Sequence, residues 1–104
     1  EADGSVYPCD FYVMDEYQIG NFNTDSFDQM DQKRSEIRFI EQSSQVEEAC
    51  ISCPYFLLCR GGCRRNRGNG MQTEPTRNNF CEGYKIFFEK WYDTLMQLGK
   101  LVQR

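Results

Sequence analysis

The chain has 104 residues, of which 16 are acidic, 12 are basic and none is histidine, so its formal net charge is -4. A domain this small buries a modest share of its unfolded surface, and a metal staple would help it to fold. The sequence has no stretch near the roughly 20 apolar residues that span a bilayer and no signal-peptide pattern. We therefore expect one soluble, cytoplasmic domain that contacts no membrane, and the acidic balance argues against general nucleic-acid binding.

The first residues predict a hairpin turn. Asp3-Gly4 is a pair favoured in two-residue hairpin turns, because both positions tolerate positive φ. Only two residues precede this pair, whereas a hairpin needs a partner strand of several residues. We therefore expect most of the first strand to lie upstream of Glu1. Residues 11 to 22 are predicted to be irregular or a short strand.

Two main helices are predicted. Residues 24 to 26 offer N-caps, and the side chains behind them share a helical spacing of three or four: Phe27, Met30, Arg34, Ile37 and Ile40. This pattern predicts a helix from about 26 to 41. A second apolar stripe runs from Tyr84 to Val102, with Gly83 and Gly99 weakening its ends; such a stripe covers a core or a neighbouring surface more often than it binds a cofactor. We predict an α-rich, irregular α+β fold with a truncated N-terminal hairpin and long cysteine-bearing loops.

Cysteines are the chemically distinctive feature of the chain. Soft thiolate ligands select iron-sulfur clusters, zinc or Cu(I). Four cysteines fall between residues 50 and 63, and one lies on each side: Cys9, Cys50, Cys53, Cys59, Cys63 and Cys81. This density predicts a chain that wraps around an inorganic centre.

Three interpretations of the cysteines compete. Six cysteines could form three disulfides in one of 15 connectivities, but nothing in the sequence indicates secretion. Structural zinc sites commonly use two short ligand pairs separated by a longer loop, whereas one Cys-x-x-Cys here continues into gaps of five and three residues. An iron-sulfur centre fits better, because a compact run plus a distant cysteine can wrap a cube of about 3 Å edge. In two-cluster ferredoxins the last cysteine of the run serves the other cluster, which by analogy would send Cys63 elsewhere.

Basic residues surround the cysteine run: Arg60, Arg64, Arg65, Arg67 and Arg77. A 4Fe-4S core held by four thiolates adds a charge of about -2, which these arginines could offset, or they could face a partner. A solvated basic loop or a nucleic-acid patch stays open as an alternative. Residues 64 to 79, rich in Asn, Gly, Thr and Arg, predict an exposed loop.

The joint spacing resembles the SPASM domain, the auxiliary-cluster domain of many radical S-adenosylmethionine enzymes. Gly4 to Cys9 matches its Gly-x-x-x-x-Cys element, residues 50 to 63 match Cys-x-x-Cys-x-x-x-x-x-Cys-x-x-x-Cys, and Cys81 matches its final cysteine. Residues 3 to 13 and 59 to 65 are most similar to the anaerobic sulfatase-maturating enzymes. Those enzymes oxidise a serine or cysteine of a sulfatase to Cα-formylglycine.

The resemblance implies one complete 4Fe-4S site, with the ligands Cys50, Cys53, Cys59 and Cys81. Cys9 and Cys63 would supply half the ligands of another cluster. The other half, and the barrel that binds S-adenosylmethionine in the full-length enzyme, would lie before Glu1. We therefore expect an inactive fragment in which Cys9 and Cys63 are free, disulfide-linked or bound to adventitious metal, and in which zinc can substitute for the cluster.

The resemblance also implies a role for Asp10, which follows Cys9 directly. In this family the aspartate at that position is the proposed general base toward the substrate hydroxyl or thiol, whereas an isolated aspartate is commonly a turn residue. The implied partners are a sulfatase polypeptide, the barrel of the same protein and an external electron acceptor such as ferredoxin or flavodoxin. The rival hypotheses are a SPASM domain of another peptide-modifying radical enzyme and a zinc-stabilised interaction module.

Two further expectations concern the surroundings of the cysteines. Gly61-Gly62 permits the positive φ and close approach that would let neighbouring ligands reach different clusters, although a plain turn would use the same residues. The segment from Tyr55 to Leu58 is expected to shield the cluster from water.

Overall fold

The structure is a computed structural model that describes residues 1 to 103. Its elements are β1 (Ser5–Val6), β2 (Gly20–Asn21), α1 (Phe27–Glu36), α2 (Phe39–Ser44), α3 (Glu48–Ile51), α4 (Phe56–Cys59) and α5 (Cys81–Val102), with 3-10 turns at Asp15–Tyr17 and Arg64–Asn66. This confirms an α-rich, irregular α+β fold. The chain divides into two compact units, an N-terminal unit of residues Glu1–Gln45 and a C-terminal unit that begins at Val46.

The sheet of the N-terminal unit is a short antiparallel pair of β1 and β2, in which Ser5 lies opposite Asn21. The turn before β1 differs from the prediction by one residue. Gly4 N–H donates to the Glu1 carbonyl at 3.0 Å, so Ala2 and Asp3 are the central residues of the turn. The Asp3 carboxylate accepts from Ser5 N–H at 2.9 Å, and this hydrogen bond lowers the pKa of the Asp3 carboxyl. The turn is therefore centred on Ala2 and Asp3 instead of Asp3 and Gly4, and the Asp3 side chain stabilises it by binding the backbone two residues ahead.

Aromatic rings make the core of the N-terminal unit. Tyr12 is 1% exposed, and its ring meets Tyr17 edge-on at 4.8 Å and Phe39 at 5.1 Å between centroids. Offset or edge-to-face rings gain about 0.5–1.5 kcal/mol beyond the burial of their area. Met30 is also buried, at 4% exposure, so this core joins the loop before β2 to both helices that follow it.

The helix predicted from 26 to 41 begins where expected, but the structure has two shorter helices, α1 and α2, in its place. Ser26 and Gln29 form a capping box, in which each side chain binds the other's backbone N–H. The helix then ends at Ile37, and Arg38 adopts a left-handed conformation with φ of 52° before α2 begins. This turn redirects the chain and brings Phe39 onto Tyr12, a tertiary contact that the helical spacing alone did not indicate.

The long C-terminal helix confirms the second predicted stripe. It has 22 residues and begins at Cys81, three positions before the stripe. Gly83 and Gly99 lie in the first and last turns of this helix, and a Cβ at either position would meet nothing within 4 Å. None of the described helices is long and apolar enough to cross a bilayer.

The segment from 64 to 79, predicted as an exposed loop, contains buried residues beside exposed ones. Arg64, Arg67 and Asn78 are 7%, 5% and 5% exposed. The Arg67 guanidinium donates to the carbonyls of Gly61 at 2.9 Å and Gly62 at 2.7 Å, while its backbone forms an antiparallel bridge with Asn78. These hydrogen bonds satisfy buried polar groups and fold the loop back onto the cysteine run.

Candidate metal centre

A cavity of about 170 Å³ lies in the C-terminal unit between α3, α4 and the start of α5. Four of the six cysteines line it: Cys50, Cys53, Cys59 and Cys81. Cys63 is exposed and lies outside this lining, and all six cysteines are free thiols instead of disulfides. Within residues 1 to 103, no three His, Cys, Asp or Glu side chains are grouped to hold a single metal ion.

Short helices place the sulfurs around this cavity. Cys50 lies in α3, and Cys53 follows one turn later, where its N–H donates to the Cys50 carbonyl at 3.1 Å. Cys59 is the last residue of α4 and Cys81 the first residue of α5. The run from 50 to 59 and the distant cysteine thus line one space, with Cys59 at the end of one helix and Cys81 at the start of another.

The chain turns sharply between Cys59 and Cys63. Arg60 is left-handed with φ of 51°, and Gly61 and Gly62 follow with φ of 81° and 66°. Glycine adopts positive φ without strain, so Gly61 and Gly62 suit the last two of these three successive left-handed positions. The predicted need for positive φ at the glycine pair is confirmed, and the turn leaves Cys63 outside the cavity that Cys59 lines.

Charged groups surround Cys50. Burial raises the pKa of its thiol, and the Glu47 carboxylate and the sulfurs of Cys81 and Cys59 add to that rise, whereas Arg77 opposes it. Arg77 lines the cavity, and its Nε lies 3.3 Å from the Glu47 Oε2. Of the arginines around the cysteine run, Arg77 is therefore the one placed to act on the cavity, while Arg67 holds the glycine turn.

Aromatic rings close much of the cavity wall. Tyr55 and Phe56 line it, as expected from the sequence, together with Tyr84 and Phe88 from α5. The Tyr55 and Phe88 rings lie 5.8 Å apart. Leu57 is 60% exposed and Leu58 36% exposed, and neither lines this cavity, although Leu58 lines a neighbouring one with Cys59 and Phe88.

Sequence reasoning missed the contribution of α5 to the site. Tyr84, Lys85 and Phe88 line the cavity with Cys81. They follow Cys81 by three, four and seven positions, the spacing of one helical face. Extending the predicted helix back to Cys81 would have identified them.

Cys9 and Asp10 lie in the N-terminal unit. They line a shallow surface cavity of about 300 Å³ together with Ser5 and Phe22. The Cys9 thiol is 3.5 Å from the Asp10 Oδ1, which can accept its hydrogen. Asp10 is exposed, so its carboxylate is accessible beside the sulfur.

The chain was compared with known proteins. Residues 1–54 match the SPASM family, an iron-sulfur cluster-binding domain. A cysteine-type anaerobic sulfatase-maturating enzyme of Clostridium perfringens (strain 13 / Type A) is 38% identical over 103 residues, which cover 99% of this chain and 28% of the relative. A serine-type anaerobic sulfatase-maturating enzyme of Bacteroides thetaiotaomicron is 31% identical over 91 residues, or 86% of this chain and 22% of the relative.

Solved structures show the same similarity. Native anSMEcpe with bound AdoMet and Kp18Cys peptide matches with a TM-score of 0.84 and 38% identity, over 98% of this chain and 28% of that protein. The chain thus spans about a quarter of the length of these relatives. Over that length, both the sequence and the fold agree with sulfatase-maturating enzymes, and the chain belongs to the SPASM family of iron-sulfur cluster-binding domains.

Proposed function

We propose that this chain is the auxiliary-cluster region of a radical S-adenosylmethionine enzyme that oxidises a sulfatase cysteine or serine to Cα-formylglycine. The observation that carries the proposal is the convergence of four cysteines on one cavity in a chain that matches sulfatase-maturating enzymes over nearly all its length. Binding of S-adenosylmethionine would belong to the part of such an enzyme that this chain does not match. By itself the chain would be inactive.

The complete cluster would be held by the cavity cysteines, Cys50, Cys53, Cys59 and Cys81. Four thiols around one cavity suit a polynuclear centre, whereas no three His, Cys, Asp or Glu side chains within residues 1 to 103 are grouped to hold a single metal ion. The aromatic wall would exclude water, and exclusion of water tunes the potential of such centres. Zinc remains a substitute that thiols can accept.

Cys9 and Cys63 would supply half the ligands of a second cluster. The exposed position of Cys63 beyond the glycine turn supports a role apart from the cavity. Cys9 is likewise outside the cavity lining and reaches a surface of its own unit. The remaining ligands would come from elsewhere in the full-length enzyme.

Asp10 would act as the general base toward the substrate. When bound, the iron-sulfur centre supplies a one-electron acceptor near the site. The Asp10 carboxylate would take the proton from the thiol or hydroxyl of the substrate radical as that radical loses its second electron, so that proton loss accompanies electron loss. Its accessible position next to Cys9 supports this role, and an external acceptor such as ferredoxin or flavodoxin in the cytoplasm would receive the electron.

The similarity favours a cysteine over a serine as the substrate residue. The cysteine-type relative is 38% identical over 99% of the chain, against 31% over 86% for the serine-type relative. The solved relative was crystallised with a Kp18Cys peptide, and a cysteine-bearing sulfatase segment is the substrate we infer for the enzyme that contains this chain.

Anaerobic reconstitution with iron and sulfide tests the ligand set. We expect one 4Fe-4S cluster per chain by iron and acid-labile sulfide analysis, with an EPR signal after reduction. Cys50→Ala and Cys81→Ala should each lose it, because every thiolate ligand contributes to holding the cluster.

Cys63→Ala is the matched control, since it removes an exposed cysteine outside the cavity and should leave the cluster in place. Stoichiometric zinc with no acid-labile sulfide after anaerobic reconstitution would contradict the proposal and favour a zinc-stabilised module. Equal loss of the cluster in Cys63→Ala would contradict the assignment of ligands.

A further inference from the structure

An ion pair joins the two chain segments that bring the first and last cavity cysteines together. Glu47 lies three residues before Cys50, and Arg77 lies four residues before Cys81. The Arg77 Nε and the Glu47 Oε2 are 3.3 Å apart. The pair therefore links the residue before α3, the helix that carries Cys50, to the chain segment that enters α5 at Cys81.

Only one residue of this ion pair contacts the cavity. Arg77 is part of the cavity lining, whereas Glu47 is not part of it and directly precedes α3. Their side chains are 45% and 35% exposed, so neither charge is fully desolvated. Glu47 is nevertheless held next to the cavity, by its ion pair with Arg77 and by the hydrogen bond that its backbone carbonyl accepts from the Cys50 N–H.

We propose that Arg77 and Glu47 set the reduction potential of the proposed cluster with opposite signs, Arg77 raising it and Glu47 lowering it. This inference rests on the proposed function and deepens it. Reduction adds one negative charge to the centre, and a nearby cation stabilises that charge whereas a nearby anion destabilises it. Arg77, on the cavity wall, would make the centre a better electron acceptor, and Glu47 would limit that gain.

A purely structural role predicts a different result. If the ion pair only held the two segments together, removing either partner would loosen the site in the same way. Electrostatic tuning predicts opposite shifts, because Arg77→Gln deletes a positive charge and Glu47→Gln deletes a negative one. The backbone carbonyl of Glu47 accepts from Cys50 N–H at 2.9 Å, a hydrogen bond that both variants leave intact.

The test is an EPR-monitored redox titration of the reconstituted chain. Arg77→Gln should lower the midpoint potential and Glu47→Gln should raise it. We expect about a fivefold change in the ratio of reduced to oxidised protein at a fixed potential, which equals roughly 40 mV for a one-electron couple. The double variant should return close to wild type, and both single shifts should shrink at 1 M salt, because the side chains are partly exposed.

Two controls keep the test decisive. Arg77→Lys retains the positive charge and should keep a potential near that of wild type. Arg65→Gln removes an exposed arginine whose guanidinium donates to the Asn69 carbonyl and which does not line the cavity, and it should leave the potential unchanged.

The possible results separate the inference from the proposed function. An intact cluster whose potential is unchanged in both single variants, or shifted the same way in both, overturns the tuning role and leaves the function standing. If Arg77→Gln fails to hold a cluster, the midpoint potential of Glu47→Gln decides the inference. A raised potential supports the tuning role, and an unchanged or lowered potential overturns it. A wild-type chain that takes up no cluster overturns both proposals together.

Discussion

Asp10 is accessible, and its carboxylate lies 3.5 Å from the neighbouring sulfur of Cys9. In the full-length enzyme we expect Asp10→Asn to lower kcat by about 10²- to 10⁴-fold, since the amide cannot accept the substrate proton. The measurement is formylglycine formation in a sulfatase-derived cysteine peptide by mass spectrometry. Iron content should equal that of wild type, because the substitution leaves every cysteine in place.

Asp15→Asn is the matched control for Asp10. Asp15 is exposed at the start of the 3-10 turn in the same unit, and its loss of charge should leave formylglycine formation unchanged. Wild-type turnover by Asp10→Asn with intact clusters would remove the aspartate from the mechanism and favour its alternative as a turn residue.

At the scale of elements, the glycine turn that separates Cys59 from Cys63 depends on one close approach. Gly62 has φ of 66°, and a Cβ there would lie 2.3 Å from the Asn78 Nδ2. We expect Gly62→Ala to lower the free energy of unfolding by about 1–3 kcal/mol, the cost of a left-handed non-glycine residue. Urea unfolding of the reconstituted chain, followed by circular dichroism, measures this change.

Gly83→Ala is the control, and its expected sign is opposite. Gly83 lies inside α5 with open space around it, so alanine should stabilise the helix by about 0.5–1 kcal/mol. Equal stability of the two variants would show that neither the positive φ nor the contact with Asn78 constrains the turn.

Helical spacing in the sequence predicted which segments form helices better than it predicted where those helices end. The Ser26 cap and the apolar stripe of α5 could both be predicted from the sequence, because each depends on residues within one or two helical turns of each other. The break at Arg38 was not readable, since it is stabilised by Phe39 packing on Tyr12, a residue far away in sequence. Local signals determine where a helix is favourable, and distant contacts decide where it stops.

For the whole molecule, the cysteines divide into four that line the cavity and two, Cys9 and Cys63, that do not. With a cluster bound in the cavity, we expect iodoacetamide to alkylate Cys9 and Cys63 readily and to spare the other four. The physical reason is that a thiolate committed to iron is a poor nucleophile, whereas a thiol outside the cavity stays reactive. Peptide mapping by mass spectrometry after anaerobic alkylation reads out each site.

Removal of the cluster provides the comparison. After treatment with a chelator and an oxidant, followed by thiol reduction, all six cysteines should be alkylated. Protection of Cys63 to the same extent as Cys59 in the reconstituted chain would contradict the division, and protection of none would show that the cavity holds no metal centre.

The sequence by itself determined the donor atoms, the family resemblance and the helical character of this protein, because thiolate chemistry, motif spacing and amphipathic periodicity are all local properties of the chain. The grouping of Cys81 with the run from Cys50 to Cys59 was implied only by the family resemblance. The tertiary structure alone supplies its geometry, one cavity that these four cysteines line and that Cys63 does not. The tertiary structure also places Arg77, which lies in the segment from 64 to 79 that was predicted to be an exposed loop, on the cavity wall and in an ion pair with Glu47. The position of such residues depends on buried hydrogen bonds that fold the loop back. Those bonds join residues whose spacing in the sequence follows neither the helix period nor the strand period, so the sequence pattern does not predict them.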